Sequence, residues 1–163
     1  MRTPIIGVMG PGNEASKVET DTAYELGKSI VHEGWIVLNG GRRQGVMDAV
    51  SKGGRDGGGV VLGISFADNN DNTSDGVTIS VVTGMGSARN NINVLTSDIV
   101  VACGLGAGTA SEISLALKAK KKVILIKNPP ESVKFFKSLS EELVFEAQTV
   151  AEVIEIIKKN LNQ

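Results

Sequence analysis

The sequence is poor in several residue types on which common kinds of site depend. It contains one cysteine, Cys103, and one histidine, His32, among 163 residues. An internal disulfide is therefore impossible, and zinc sites and Cys–His catalytic pairs are nearly excluded. Aromatic residues make up only 4% of the chain, and the formal net charge is −1. Both values argue against an aromatic or basic surface that binds nucleic acid.

Long apolar runs are also missing. No stretch is long enough to span a membrane, and the apolar segment 5–9 is too short for the core of a signal peptide. A single cysteine fits a reducing compartment. We therefore expect a cytoplasmic protein with no membrane partner, and the length suits one domain over residues 1–163.

Short apolar runs alternate with helical periodicities along the whole chain. The runs predict strands at 4–9, 35–38, 60–64, 77–82, 98–102, 123–126 and 143–145. The periodicities predict helices at 17–32, 46–51, 85–95, about 110–119, 131–139 and from 150 onwards. The glycine-rich stretch 53–59 is predicted as a connection, and 66–76 as a mobile surface loop. This alternation predicts an α/β protein with a doubly wound, mostly parallel sheet of about seven strands and helices on both faces.

Three glycine-rich loops follow predicted strands, at 10–12, 40–45 and 104–108. Ligands of parallel sheets bind beyond the carboxyl ends of the strands, where glycines let the backbone turn tightly and approach a ligand. The helix after the third loop would offer unpaired N–H groups to an anion. Thr109 is its predicted N-cap, which would place Glu112 in the first turn. We therefore expect the three loops to converge on one anion site.

Several nucleotide and metal motifs are incomplete. Residues 10–15 fit the pattern G-x-G-x-x-A, but Asn39 follows the second strand where an NAD site needs an acidic residue. The P-loop pattern G-x-x-x-x-G-K-[ST] does not occur. Residues 68–72 begin like a calcium loop, yet Thr73 replaces its glycine and Ile79 its closing glutamate. We therefore expect no bound NAD, zinc or calcium, and a buried, structural role for the lone cysteine.

Two charged residues stand at the predicted starts of successive helices. Arg89 precedes Glu112 by one helix-plus-strand unit, a separation that can bring both side chains to the same edge of the sheet. The alternative is that each is a surface charge, or that the two form a structural salt bridge between neighbouring helices.

These residues carry a resemblance to a known superfamily. The segment 39–47 reads N-G-G-R-R-Q-G-V-M, Arg89 is followed by Asn90, and the segment 106–112 reads G-A-G-T-A-S-E. In this order the motifs resemble the LOG or "lysine decarboxylase-like" (SLOG) superfamily, and the similarity runs from the first strand to about Ile126. The resemblance implies a Rossmann-like fold, a phosphate held by the glycine loops, and a homodimer or homotetramer. It implies neither lysine decarboxylation nor a PLP site.

Departures from the hydrolase branch of this superfamily favour its molybdenum cofactor carrier branch. The LOG-type phosphoribohydrolases carry P-G-G-x-G-T-x-x-E, and here Leu105 replaces a glycine of that loop. Their first motif is G-G-G-x-x-G-L-M-G. In this chain Arg42 replaces its third glycine and Asp48 replaces its last, and Asn90 replaces the lysine that follows the arginine of the hydrolases. We expect the side chain of Leu105 to stand where the backbone would come closest to a ligand. Arg42 and Arg43 would add two cations to the same rim.

Three functions are open at this point. The first is a carrier that binds a phosphate-bearing molecule such as the molybdenum cofactor and delivers it to molybdoenzymes. The second is hydrolysis of the N-glycosidic bond of a nucleoside 5′-monophosphate, with Glu112 and Arg89 as catalytic residues. The third is single-stranded DNA binding, which the composition argues against. The expected ligand-binding residues are Gly10, Gly12, Gly40, Gly41, Arg42, Arg43, Gly45, Arg89, Asn90, Gly106, Ala107, Gly108, Thr109 and Glu112.

The resemblance also predicts self-association. Apolar helix faces around Ile92 and Leu95, and from 113 to 117, exceed what one face of a sheet has to cover. An isologous two-fold contact is the default for a homo-oligomer. We therefore expect at least a dimer.

Overall fold

A computed structural model describes residues 2–161 of the chain. Its strands are β1 (Ile5–Met9), β2 (Ile36–Asn39), β3 (Val61–Ser65), β4 (Ile79–Val82), β5 (Ile99–Cys103), β6 (Val123–Ile126) and β7 (Val144–Ala147). Its helices are α1 (Lys17–His32), α2 (Gly45–Asp56), α3 (Arg89–Thr96), α4 (Ala107–Lys118), α5 (Pro130–Leu139) and α6 (Val150–Leu161), with a 3₁₀ turn at Gly86–Ala88. None of these helices combines the length and the apolarity that a bilayer crossing requires.

The strands form one parallel sheet in the order β4-β3-β2-β1-β5-β6-β7. The chain begins at the centre, winds outwards to β4, and then crosses back to β5 on the other side of β1. The order therefore reverses between β1 and β5, which opens a crevice at their carboxyl ends. The predicted α/β, doubly wound, Rossmann-like architecture with seven strands is confirmed.

Successive residues of each strand pack on opposite faces of the sheet, because side chains alternate along a strand. Ile6 and Val8 of β1 belong to a core that includes residues of α1, α2 and α6. Met9 belongs to a second core that includes residues of α3, α4 and α5. Cys103 is fully buried in the first core, where burial raises the pKa of its thiol to about 12. The prediction that this cysteine is buried is therefore confirmed.

Helix α2 is longer than the sequence predicts and runs through two glycines of the stretch assigned to a connection. A Cβ atom on Gly53 would collide with the carbonyl oxygen of Tyr24 in α1, and one on Gly27 would collide with the carbonyl oxygen of Val50. The glycines therefore allow the backbones of α1 and α2 to approach closely. The prediction was wrong because glycine lowers helix propensity, whereas here tertiary packing outweighs that cost of about 1 kcal/mol.

Three further boundaries differ from the prediction. Helix α4 begins at Ala107 with Gly106 as its N-cap, so Thr109 lies inside the helix and Glu112 lies in its second turn. Strand β4 begins at Ile79, because Val77 closes a turn by donating its N–H to the Ser74 carbonyl. The residues before Arg89 form a 3₁₀ turn rather than the first turn of α3.

The apolar faces that predict self-association are only partly exposed. Ile113 and Leu117 of α4 are buried within the chain, packed in the second core. Leu95 of α3 is 55% exposed. On the edge strand β4, Ile79 is 52% exposed, and Met85 beyond it is 51% exposed. The expectation that this face of α4 is surplus apolar surface is therefore wrong, because Ile113 and Leu117 already cover the sheet.

Candidate functional site

A cleft of about 280 Å³ opens where the carboxyl ends of β1, β2 and β5 meet. Ten of the fourteen predicted ligand-binding residues line it: Gly10, Gly12, Gly40, Arg42, Arg89, Asn90, Gly106, Gly108, Thr109 and Glu112. The other four, Gly41, Arg43, Gly45 and Ala107, lie in the same loops but outside the cleft lining. Val8, Met9, Pro11, Asn13, Glu14, Gln44 and Met47 complete the wall. The three glycine loops thus meet at one site.

The first two loops are packed directly on each other. The N–H of Val46 donates to the carbonyl oxygen of Pro11 at 3.1 Å. Gly45 has a φ of +50°, and a Cβ there would collide with the Gly12 carbonyl oxygen. A side chain on Gly10 would likewise meet Val46. The glycines at these positions are therefore required by loop packing, independently of any ligand.

Asn39 organises the second loop from below. It is fully buried, and its side-chain amide donates to Ser51 Oγ of α2 at 2.9 Å. Its Oδ1 accepts the N–H of Gly41 at 2.7 Å. An Asn side chain that bonds the backbone two residues ahead forms an Asx turn, which fixes the path of the loop. Asn39 therefore supports the backbone of the loop, whereas the acidic residue of an NAD site would bind the ribose.

The two arginines of this loop point to different surroundings. Arg42 lines the cleft, and its Cζ lies 4.8 Å from the centre of the Phe66 ring. Arg43 instead forms an ion pair with Asp75 at 2.7 Å and donates to the carbonyl oxygen of Thr73. The structure therefore places one cation of the pair at the cleft and the other against the loop 66–76.

Arg89 begins α3 and is largely buried, 8% exposed. Its Nη1 donates to the carbonyl oxygen of Ile64 at 3.0 Å, at the end of β3. Gly40 leaves space for the guanidinium, since a Cβ on it would overlap Arg89 Nη1. Burial lowers the pKa of Arg89, with Glu112 acting to raise it and Arg42 to lower it further. The guanidinium nevertheless stays charged, as arginine does in proteins.

Glu112 is also only 8% exposed. Burial raises its pKa to about 7, against opposing contributions from Asn93 and Arg89. Asn93 Nδ2 donates to Glu112 Oε1 at 3.1 Å. Within residues 2–161 no ion pair of 4.0 Å or less joins Glu112 to Arg89, because the arginine bonds the Ile64 carbonyl. Arg89 and Glu112 therefore both line the cleft, and they do not form the structural salt bridge that the sequence left open as an alternative.

The first turn of α4 presents hydrogen-bond donors to the cleft that could bind an anion. Its N-cap, Gly106, has no side chain to cap the helix, so the first N–H groups lack a side-chain acceptor. The hydroxyl of Thr109 is buried and has no hydrogen-bond partner among residues 2–161. A Cβ on Gly108 would meet nothing within 4 Å. These donors and the helix dipole suit a phosphate group.

Leu105 does not stand in the cleft, which corrects the expectation for this position. Its side chain packs against the second core and borders a separate groove with Val18 and Pro129. Gly104, at φ +77°, turns the chain so that the next side chain leaves on the far side of the loop. A leucine in this motif is therefore compatible with an open cleft.

Asp48, another departure from the hydrolase motif, fixes the far end of the loop 66–76. It accepts a hydrogen bond from Ser74 Oγ at 2.7 Å and forms an ion pair with Lys52. Ser74 is buried, and its N–H donates to the Gly41 carbonyl at 2.8 Å. Residues 68–72 are exposed as predicted, but the end of the loop is bound to the β2–α2 connection.

Sequence reasoning missed two residues that support the cleft. Asn93 lies one helical turn after Arg89 and therefore on the same face of α3, a spacing that could have identified it. Phe66 directly follows β3 and contacts both cleft arginines. Its position after a strand was a usable signal, but the contact depends on the paths of two other loops. Residues 2–161 contain no group of three or more His, Cys, Asp or Glu side chains that could hold a metal ion.

Comparisons with known proteins identify the family and several relatives of this chain. A family model described as the SLOG cluster4 family matches residues 3–154. The molybdenum cofactor binding protein of Rippkaea orientalis superimposes with a TM-score of 0.95 at 50% identity, covering 98% of each chain. The molybdenum cofactor carrier protein of Chlamydomonas reinhardtii gives 0.95 at 48% identity, covering 99% of this chain and 100% of that one. An uncharacterised protein of Archaeoglobus fulgidus is 40% identical over 79% of this chain and 83% of its own length.

Proposed function

This chain belongs to the SLOG cluster4 family, and from that premise we propose that it binds the molybdenum cofactor as cargo and does not turn it over. Relatives at 50% and 48% identity over nearly the full chain are described as binding and carrier proteins for this cofactor. The glycine loops would hold its phosphate, and Arg42 and Arg89 would neutralise the charge.

The observation that carries the proposal is the chemistry of the cleft wall. It combines the uncapped first turn of α4, the unpartnered hydroxyl of Thr109, and two arginines that no carboxylate neutralises at 4.0 Å or less among the described residues. Such a wall offers hydrogen-bond donors and two arginines that form no ion pair within the described part of the chain, beside the carboxyl groups of Glu14 and Glu112. It therefore suits an oxyanion that arrives with the ligand.

Cofactor retention tests the proposal directly. The cofactor is released from a purified molybdoenzyme under anaerobic conditions, mixed with the protein, and separated by gel filtration. We expect molybdenum and pterin fluorescence to elute with the protein, and Gly108→Val to abolish both while leaving the melting temperature within a few degrees. A β-branched side chain at Gly108 would extend into the open space beside the α4 N-terminus. Elution of wild-type protein without cofactor would contradict the proposal.

Delivery and assembly belong to the same proposal. A carrier hands its cargo to cofactor-free molybdoenzymes, so loaded protein should restore the activity of such an enzyme faster than free cofactor does.

We propose that the carrier is at least a dimer, on the basis of the exposed apolar side chains of Leu95, Ile79 and Met85. Light scattering at tens of micromolar, the range of usual oligomer affinities, should give at least twice the mass of the 17.0 kDa chain. A mass equal to that of one chain would contradict the proposed dimer.

The alternative is hydrolysis of a nucleoside 5′-monophosphate. Glu112 and Arg89 share the cleft, which is what this reaction requires. A carboxyl group with a pKa of about 7, however, is a weaker electrostatic partner for an oxocarbenium-like sugar than a full carboxylate is. Incubation with AMP and measurement of free adenine separates the two functions. Adenine release by the wild type, lost in Glu112→Gln, would favour the hydrolase.

A further inference from the structure

Phe66 lies outside the glycine loops, yet it contacts the two cleft arginines. It directly follows β3, and its carbonyl accepts the N–H of Gly86, the first residue of the 3₁₀ turn that leads into α3, at 3.0 Å. The centre of its ring lies 4.8 Å from Arg42 Cζ and 5.9 Å from Arg89 Cζ. One ring therefore holds two cations that come from different elements, the β2–α2 loop and the start of α3.

Two like charges in this position repel each other. The pKa of Arg89 is lowered chiefly by burial, and the nearby Arg42 lowers it further against the opposing effect of Glu112. The buried Nε atoms of both have no hydrogen-bond partner among the described residues. Such a pair is costly to hold in a partly desolvated wall. An aromatic face attracts cations at these distances and offsets part of that cost, and an anion would offset the rest.

We propose that Phe66 is a positioning residue that holds Arg42 and Arg89 together as a clamp for the dianion of a phosphate monoester. This inference rests on the proposed function and specifies the ligand group that the cleft recognises. Two guanidinium groups match two negative charges on one phosphate, whereas a phosphate diester carries a single charge and leaves one cation without a partner. Arg42 stands where the hydrolase motif has glycine, so that motif does not contain this clamp.

The test uses two small probes, methyl phosphate and dimethyl phosphate, titrated at pH 8 into the full chain and followed by NMR. The Nε–H signals of Arg42 and Arg89 report directly on the clamp. We expect both signals to shift with methyl phosphate, and the diester to bind at least tenfold more weakly. Arg55→Gln, which removes a positive charge from the exposed end of α2, is the control for net charge and should change the affinity less than about twofold.

Substitutions at Phe66 separate positioning from simple packing. Phe66→Leu keeps an apolar side chain but removes the ring face. It should weaken the binding of methyl phosphate about 2- to 30-fold, which is the range that the loss of a cation–π contact predicts. Phe66→Tyr keeps the ring and should bind like the wild type. Phe66→Tyr should keep the melting temperature of the wild type, and Phe66→Leu should lower it by only a few degrees, because a cation–π contact contributes about 0.5–2 kcal/mol. Equal affinity in Phe66→Leu and the wild type, equal loss in both variants, or Nε–H signals that do not move would overturn the clamp.

Cofactor retention by the same proteins distinguishes this inference from the function on which it rests. If wild type and Phe66→Leu retain the cofactor equally while methyl phosphate binding is insensitive to Phe66, the clamp is wrong and the carrier function stands. If the wild type binds methyl phosphate through the clamp but retains no cofactor, the carrier function is wrong and the phosphate monoester site stands.

Discussion

Replacing Glu112 with glutamine tests whether the carboxyl at the base of the cleft is neutral in the folded protein. Burial raises the pKa of Glu112 from 4.5 to about 7. The folded state then binds more protons than the unfolded state between these two values, so the free energy of unfolding falls as the pH rises. The stabilising contribution is complete below about pH 4.5 and is lost as the pH passes through 7. At about 1.4 kcal/mol per pKa unit, the whole effect is roughly 3 kcal/mol.

Glutamine has the shape of the protonated acid, carries no charge at any pH, and keeps the oxygen that accepts from Asn93. Urea unfolding of both proteins at pH 5, 6, 7 and 8 measures the difference in free energy. We expect Glu112→Gln to be more stable than the wild type by about 1 kcal/mol at pH 5, with the difference rising to about 3 kcal/mol at pH 8. The neutral substitute gains because the wild type must then bury a charge.

Glu14 provides the matched control. It borders the same cleft but is exposed, and Glu14→Gln should change the free energy of unfolding by about 0.5 kcal/mol or less at every pH. Parallel pH profiles for the wild type and Glu112→Gln would refute the reasoning. They would mean that the carboxyl ionises as readily in the folded chain as in the unfolded one.

Three other substitutions test the packing around the cleft. Gly53→Ala should lower the free energy of unfolding by about 1–3 kcal/mol, since its Cβ meets the backbone of α1, whereas the helical control Gly108→Ala should not. Gly40→Ala should weaken the binding of methyl phosphate about tenfold, because the new Cβ displaces the guanidinium of Arg89. An unchanged affinity would contradict the position of Arg89 in the cleft. Asp48→Ala should speed amide hydrogen exchange at Ser74, and unaltered protection would show that their hydrogen bond is dispensable.

The strands and the glycine loops were predictable because both leave local signals. A buried parallel strand is a short apolar run, and the loops at 10–12, 40–45 and 104–108 each end such a run. The convergence of these loops follows from parallel topology alone. For the same reason Arg89 and Glu112 could be assigned to one edge of the sheet before their environment was known.

The failures arise where tertiary contacts decide. The extension of α2 through Gly53 depends on Tyr24 in another helix, which no window around the glycine contains. The direction of Leu105 depends on the positive φ of Gly104, and a glycine motif does not specify φ. The role of Phe66 requires the loop after β2 and the start of α3 to be placed at once. A local sequence pattern contains no information about any of these three contacts.

The glycine contact between α1 and α2 has a consequence for the kinetics of binding. A slide of one helix along the other would drive a Cβ atom into backbone, so the pair has one permitted register. Since α2 begins with Gly45, packed on Gly12, that register also sets the spacing of the first two loops. The width of the cleft is thus established before a ligand arrives. Binding then requires little ordering of the chain, and the residence time of the ligand depends mainly on its contacts, which suits the proposed carrier function.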